Sequence, residues 1–372
     1  MRTYETSYLW EKVGNNYTPA KTVKNTLHTL FRAKRKPDVH VVIVGRGRYQ
    51  ISIDYPLWCN CNGTLYEVSN NTADVVEADM VVYTTGTTRF MTINQWQDFH
   101  NKRNLSQLWV LHTNESPQTC VSLRPPEDIR GVTFNLSFIY HTESDIPTPY
   151  GWFQKFNSPK DEDVNWFSIK TKLIMWTSSH CSLSSGQYKR RDFVLSFKRY
   201  LDISMFGACG DYELRGDEYL QTSSEYKFVL ALENSCCSQY ITEKFWDALT
   251  IYNQVPVVYG ATREEYEKVA PPNSFIFIQD FSSLESLSKT IQEIGSNEEK
   301  YNRYHSWRRL GYTEKQHKGK DRIYRCHSIC RLSEHEGRAK RGEKFHFNET
   351  GELYYGGCRN CQGEVDALTG IE

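Results

Sequence analysis

The 372-residue chain has no excess of charge of either sign: Lys and Arg number 45, and Asp and Glu also number 45. With no net field, nothing long-ranged draws in nucleic acid or an anionic membrane surface, so binding has to be local. No run approaches the roughly 18 apolar residues of a membrane-spanning helix. A charged start followed by an apolar stretch, the mark of a signal peptide, is missing too. There is no Gly-rich phosphate loop, which excludes a P-loop and a dinucleotide fingerprint. An Asp-x-Asp metal pair has one near match, Asp161-Glu162-Asp163, in a charged stretch after "NSPK" that reads as solvated surface. No internal repeat or low-complexity tract is visible.

Aromatic residues are plentiful at 14%, with 24 Tyr and 9 Trp, which suits large cores and equally suits clefts that stack on bases and sugars. The cysteine count is odd, at eleven. Asn-X-Ser/Thr sequons occur at Asn16, Asn62, Asn70, Asn104, Asn114, Asn135 and Asn348. Each is weak alone, but with clustered cysteines they favour a secretory-pathway lumen over the cytosol.

The length suggests about two domains. Residues 1–36 are polar, run into "FRAKRKP" (31–37), and read as a stem or surface segment. Apolar runs then follow at αβ spacing: "VHVVIVG" (39–45), "DMVVYT" (79–84), "LWVLH" (108–112) and "FNLSFIY" (134–140). That pattern suits a parallel sheet with helices on its faces. The stretch "DIPTPYGWF" (145–153) breaks the periodicity and marks a domain junction. Beyond it "KLIMWTSS", "DISMFG", "YKFVLAL", "VPVVYG" and "SFIFI" read as strands, with helices at "YKRRDFVLSFKRYL", "ITEKFWDALTIYN" and "SLESLSKTIQEIG". The last helix gathers Leu284, Leu287 and Ile291 on one face. The expected architecture is two successive doubly wound α/β domains with a cleft between them.

Two polar stretches end buried strands. After "YKFVLAL" comes "ENSCCSQYITEK" (233–244), and ligands of open parallel sheets sit beyond the carboxyl ends of strands. Glu233 and Asn234 lie at such an end. Thr242 can cap the next helix, whose N-terminus offers free N–H groups to a phosphate. Lys244 adds a full positive charge where the helix dipole disfavours one. Glu243 suits the dipole but repels phosphate, so sugar hydroxyls are its better partner, while Tyr240 can hydrogen-bond or stack. The bland alternative is a capped helix with a solvated Glu-Lys pair. The second stretch, "LWVLHTNESP" (108–117), puts a lone carboxylate, Glu115, just past a strand end. Opposite a phosphate site, that residue suits a general base; by itself it reads as a surface acid.

The segment "FVLALENSCCSQYITEKFWDALTIYNQVPVVYGA" (228–261) resembles the signature of the α1,3-fucosyltransferases, family 10 of the inverting glycosyltransferases, which use GDP-fucose. Three further blocks carry the resemblance: "WVLHTNESP" with "FNLSFIYHTESDIPTPYG", then "KTKLIMWTSSHCSLSSG", and "YEKVAPPNSFIFIQDF". It covers roughly residues 75–311. The resemblance implies a GT-B fold of two Rossmann-like domains facing a cleft. Residues 37–150 are then the acceptor side, residues 151–311 the GDP-fucose-binding domain, and residues 312–372 a Cys-containing basic tail. It implies that Glu115 is the catalytic base and that Asn234, Tyr240, Glu243 and Lys244 line the donor site. An arginine that steadies the diphosphate maps to Arg190, with Arg191 as the alternative. The guanine-reading contacts map to the region of "SSHCS" (178–182).

The resemblance further implies transfer of fucose to a hydroxyl of a glycan or glycoprotein, with an α1,3 linkage on N-acetylglucosamine as the expected product. No metal would be required, manganese at most stimulating. The setting it implies is the Golgi lumen, with a type II membrane anchor that this sequence does not contain. Rival readings are a catalytically silent glycan-binding homologue and a GT-B transferase using another nucleotide sugar. Cys59 and Cys61 stand too close to pair with each other. In the tail, Cys326, Cys330, Cys358 and Cys361 have spacings that suit zinc with His327 or His335; disulfides among these four are the preferred reading. The intervening "RLSEHEGRAKRGEKFHF" reads as a solvated basic loop.

Overall fold

The computed structural model describes residues 10–13, 16–19, 36–44, 55–84, 92–104, 106–119, 134–161, 164–179, 181, 188–315, 326–340, 354 and 356–369. Most of the expected stem, together with Asn348, Glu162, Asp163, His180, Ser182 and Cys120, lies outside these residues. The chain divides into two compact units: residues 1–112, 125–137 and 318–349, and residues 113–124, 138–317 and 350–372.

In the first unit, β1 (Trp10–Val13) and β2 (Asn16–Pro19) form an antiparallel pair. A six-stranded sheet follows from β3 (Val39–Val44), β4 (Leu57–Cys61), β5 (Thr64–Ser69), β6 (Met80–Thr84), β7 (Leu108–Thr113) and β8 (Leu136–Ile139), in the order β4-β5-β3-β6-β7-β8. β3 runs parallel to β5 and β6, and β6 parallel to β7. Every residue of β6 and β7 is buried, which is what the unbroken apolar runs of a parallel sheet require. The β4–β5 hairpin was not legible as a pair. It turns at Asn62-Gly63, both with positive φ, a conformation these two residue types tolerate best.

The second unit contains β9 (Gly151–Lys155), β10 (Lys172–Thr177), β11 (Ser204–Phe206), β12 (Tyr226–Leu232), β13 (Cys236–Cys237), β14 (Val255–Tyr259), β15 (Ile276–Phe277), β16 (Gly311–Lys315) and β17 (Cys358–Arg359). Its main sheet has the order β11-β10-β12-β14-β15, with every pairing parallel. Counted along the chain this is 2-1-3-4-5, a doubly wound order whose direction of winding reverses between β10 and β12. Ile174, Trp176, Phe228, Leu230 and Val257 face Phe193, Phe197, Leu284, Leu287 and Ile291 in one core. Ala231 and Val258 face Phe245, Trp246 and Leu249 in another. Both faces of the sheet are therefore covered, and the helix Leu284–Ser296 buries the face read from its periodicity. The "SFIFI" strand is shorter than its apolar run, because Ile278–Asp280 closes into a 3-10 turn.

Two expectations for the tail are corrected. Arg331–Lys340 belongs to a helix, Cys326–Lys340, and not to a solvated loop. Ile329 and Leu332, three residues apart, are both fully buried and give it an apolar face. The tail cysteines bond to earlier parts of the chain and not among themselves. The pairs are Cys59–Cys326, Cys61–Cys330, Cys236–Cys361 and Cys237–Cys358, beside Cys181–Cys209. Cys59 and Cys61 alternate along β4 on its buried face, so both meet one turn of the tail helix, Cys326 and Cys330. These bonds occupy the thiolates that a zinc site would use. Non-reducing peptide mapping is expected to join the Cys59–Cys61 peptide to Cys326 and Cys330, and the Cys236–Cys237 peptide to Cys358 and Cys361. A Cys326–Cys330 or Cys358–Cys361 link would contradict this pairing.

Candidate functional site

All six residues singled out from the sequence fall in the second unit. They gather at the carboxyl end of β12, beside the point where the winding reverses, where ligands of doubly wound sheets bind.

Glu233 organises this end, a role its position in the sequence did not disclose. It is fully buried, and its Oε1 accepts from the Thr242 backbone N–H at 2.7 Å. Its Oε2 accepts from the Thr242 hydroxyl at 2.8 Å and from Lys244 Nζ at 3.1 Å. Thr242 Oγ1 in turn accepts from the Lys244 backbone N–H at 3.4 Å, so Thr242 caps the helix Glu243–Thr250 as expected. Burial pushes the Glu233 carboxyl above the ordinary carboxylate value, while Lys244 and the Thr242 donors pull it back. Burial likewise pulls the Lys244 ammonium down, but Glu233 and Glu243 outweigh it and hold the ammonium above its ordinary value. The Lys244 side chain keeps 27% exposure, against 0% for Glu233. Lys244 is therefore no solvated partner of Glu243. It is anchored from below by Glu233, with Glu243 Oε1 at 3.6 Å on its flank. Gly260 makes room for this arrangement: its φ is +156°, and a Cβ there would sit 2.7 Å from Glu233 Cβ and Cγ.

Arg190 and Arg191 open the helix Arg190–Phe197 that follows β10. Arg190 is buried and donates from Nη1 to the Leu232 carbonyl at 3.3 Å, at the end of β12. It lies close enough to Lys244 to oppose that residue's positive charge. Arg191 is exposed and donates to the Cys209 carbonyl, on a different loop. Two adjacent residues point apart on a helix, so only Arg190 joins the cluster. Asn234 is half-buried, with its Oδ1 accepting from Ser235 Oγ at 3.1 Å. Of the segment expected to read guanine, Cys181 is tied to Cys209, and the Cys209 N–H donates to the Ser178 carbonyl at 3.0 Å.

Glu115 joins the same cluster through tyrosines. It is half-buried, and its Oε2 accepts from the Tyr240 hydroxyl at 2.9 Å. Among the described residues its Oε1 has no hydrogen-bond partner. Burial, reinforced by Glu115, holds the Tyr240 phenol far above its ordinary value, so it stays a donor. Tyr240 packs between Tyr140 and Tyr150, at centroid distances of 5.1 and 6.3 Å. Ser235 Oγ and Ser116 Oγ share a hydrogen bond at 2.6 Å, tying the Glu115 loop to the residues after β12. Tyr140, Tyr150 and Trp246 also line a pocket of about 230 Å³ with Gln239, Glu265 and Lys268. No group of three or more His, Cys, Asp or Glu residues able to hold a metal occurs among the described residues. Among them, no helix is long and apolar enough to cross a membrane. Asp161 is exposed beside Arg309.

The arrangement pairs two cations at a strand end with a half-buried carboxylate, one oxygen of which has no hydrogen-bond partner among the described residues. Comparison with known proteins bears on the family. Residues 28–151 match the model "Fucosyltransferase, N-terminal", and residues 167–348 match "Glycosyltransferase family 10 (fucosyltransferase) C-term". The 4-galactosyl-N-acetylglucosaminide 3-alpha-L-fucosyltransferase FUT6 of Pan troglodytes is 36% identical over 208 residues, 55% of this chain and 55% of that protein. The 3-galactosyl-N-acetylglucosaminide 4-alpha-L-fucosyltransferase FUT3 of Pongo pygmaeus is 33% identical over 253 residues, 65% of each. The chain thus spans about half the length of the FUT6 relative it matches. A solved alpha1,3-fucosyltransferase with GDP-fucose aligns at a TM-score of 0.45 and 16% identity, over 73% of this chain and 82% of its own. The two family models together cover most of the sequence, and the chain belongs to glycosyltransferase family 10, the fucosyltransferases.

Proposed function

We propose that this protein transfers L-fucose from GDP-fucose to a hydroxyl of a glycan acceptor, with inversion at the anomeric carbon. An α1,3 linkage to N-acetylglucosamine of a glycoprotein is the product we favour. The observation that carries the reading is the clustering, within one unit, of Arg190 and Lys244 at the end of β12 with Glu115 one tyrosine away. Glu115 takes the proton of the acceptor hydroxyl as that oxygen bonds to the anomeric carbon. The bond from that carbon to the β-phosphate oxygen breaks in line, and its electron pair leaves with GDP. Lys244, Arg190 and the N–H groups at the start of the Glu243–Thr250 helix offset the charge on the departing diphosphate. Asn234 and Glu243, half-buried at the rim of the cluster, bind donor hydroxyls. Residues 37–150 and 151–311 are the acceptor and donor sides in this reading. Five disulfides support an oxidising compartment, and the Golgi lumen is the one we propose.

A donor screen that reads nucleotide release tests this. GDP release from GDP-fucose, dependent on a glycan acceptor, is the expected result; turnover of a different nucleotide sugar alone contradicts it. Because the cations above do the work of an ion, EDTA is expected to lower the rate by less than about tenfold, under roughly 1.4 kcal/mol of barrier. Complete loss in EDTA, restored by manganese, would overturn the cation-only account.

A further inference from the structure

Tyr354 has no part in the reading above, and it lies past residue 348, where the matched family region ends. Its side chain is 1% exposed, and its hydroxyl donates to the backbone carbonyl of Glu115 at 2.9 Å. Tyr240 holds the carboxylate of that residue at the same distance. Tyr140 stands between the two phenols, 5.1 Å from the Tyr240 ring and 6.5 Å from the Tyr354 ring. Thr113 Oγ1 accepts from the Glu115 N–H at 2.9 Å, and the Tyr150 hydroxyl donates to the Asn114 carbonyl. A loop residue just past a strand end is thus gripped at its amide, its carbonyl and its carboxylate.

The segment that delivers Tyr354 is itself fastened. Three residues on, the Gly357 carbonyl accepts from the Ser238 N–H at 2.6 Å. Next come the pairing of β17 with β13 and the two adjacent disulfides, Cys237–Cys358 and Cys236–Cys361. The spacer that leads into Tyr240 is therefore also the mount for Tyr354. A general base has to stand within hydrogen-bond reach of the proton it takes, and a displacement of about 1 Å can cost about a hundredfold in rate.

We propose that Tyr354 is a positioning residue for Glu115, fixing the peptide of the base through its hydroxyl, and that the two adjacent disulfides hold Tyr354 in place. The proposal rests on the reading of Glu115 as the base. Tyr354→Phe keeps the buried ring and removes the donor. In the full chain, kcat is expected to fall about tenfold, with KM for GDP-fucose and the Kd for GDP each within about twofold of the parent, since the residue acts on base geometry and not on the donor. In a Glu115→Gln background the same substitution is expected to change turnover no further, because there is no base left to position. An unchanged kcat in Tyr354→Phe, with Glu115→Gln disabled, overturns the proposal and leaves the base reading standing. An equal loss in both backgrounds also overturns it, because the tyrosine is then a structural support only. Full turnover in Glu115→Gln removes the base reading and this proposal together.

Discussion

Glu115→Gln is expected to cut turnover by at least about a hundredfold, a loss of roughly 2.7 kcal/mol in transition-state stabilisation, while GDP-fucose binding stays within about threefold. The amide keeps the size and most of the contacts of the carboxylate. Its oxygen can still accept from Tyr240, as Glu115 Oε2 does. What it lacks is a basic oxygen at the position of Oε1, the one that has no hydrogen-bond partner among the described residues. In the proposed reading the donor is bound by Arg190, Lys244 and the helix start, none of which touches that oxygen. The expected signature is therefore a fall in kcat with little change in KM for the donor, measured by GDP release and checked by calorimetry with GDP. Near-normal turnover would take Glu115 out of the mechanism.

Lys244→Ala is expected to weaken GDP binding by about a hundredfold and also to destabilise the fold, by about 3–5 kcal/mol, because it strands a buried carboxylate. Glu233 is 0% exposed, and Lys244 is its one cationic hydrogen-bond partner among the described residues. After the substitution the Thr242 donors alone, among the described residues, face Glu233, and its carboxyl titrates still further above the ordinary range. A single measurement of activity would confuse the two effects. The pair Glu233→Gln with Lys244→Met separates them. Replacing both charges by uncharged groups of similar volume removes the stranded ion, so thermal stability should recover most of its loss. GDP affinity should not recover, since no ammonium faces the diphosphate. If calorimetry with GDP alone finds parental affinity in either variant, the stretch is a capped helix and not a phosphate site.

The strand-turn-helix at the heart of the site was legible because its determinants are local. Thr242, two residues before Lys244, caps the helix through contacts within one turn, and a seven-residue run that is apolar apart from Lys227 reads directly as a buried strand. The α/β class was legible for the same reason: "LWVLH" and "VPVVYG" state their burial in composition alone. The lone carboxylate past β7 could be found as a type and a place. Its attachment to Tyr240, 125 positions away, could not.

The sequence by itself determined the periodicities, the cap at Thr242 and the identity of the charged groups, because each depends on residues a few positions apart, and its motif blocks carried the family. Tertiary structure decided which groups meet. The motif spacing favoured Arg190 and kept Arg191 as the alternative; the rotation of about 100° per residue on a helix sends Arg190 to the Leu232 carbonyl and Arg191 to that of Cys209. Glu233 stood in plain view after its strand. Its role appears only when Gly260, at φ +156°, lets the chain fold close against it and Thr242 and Lys244 converge on both its oxygens. The cysteine spacings in the tail suggested partners nearby, yet Cys326 pairs with a residue 267 positions earlier and Cys361 with one 125 positions earlier. A disulfide needs its Cα atoms within about 7 Å, a condition on folded space and not on sequence distance. In this protein the packing of the helix Cys326–Lys340 against β4 and the pairing of β17 with β13 set those distances.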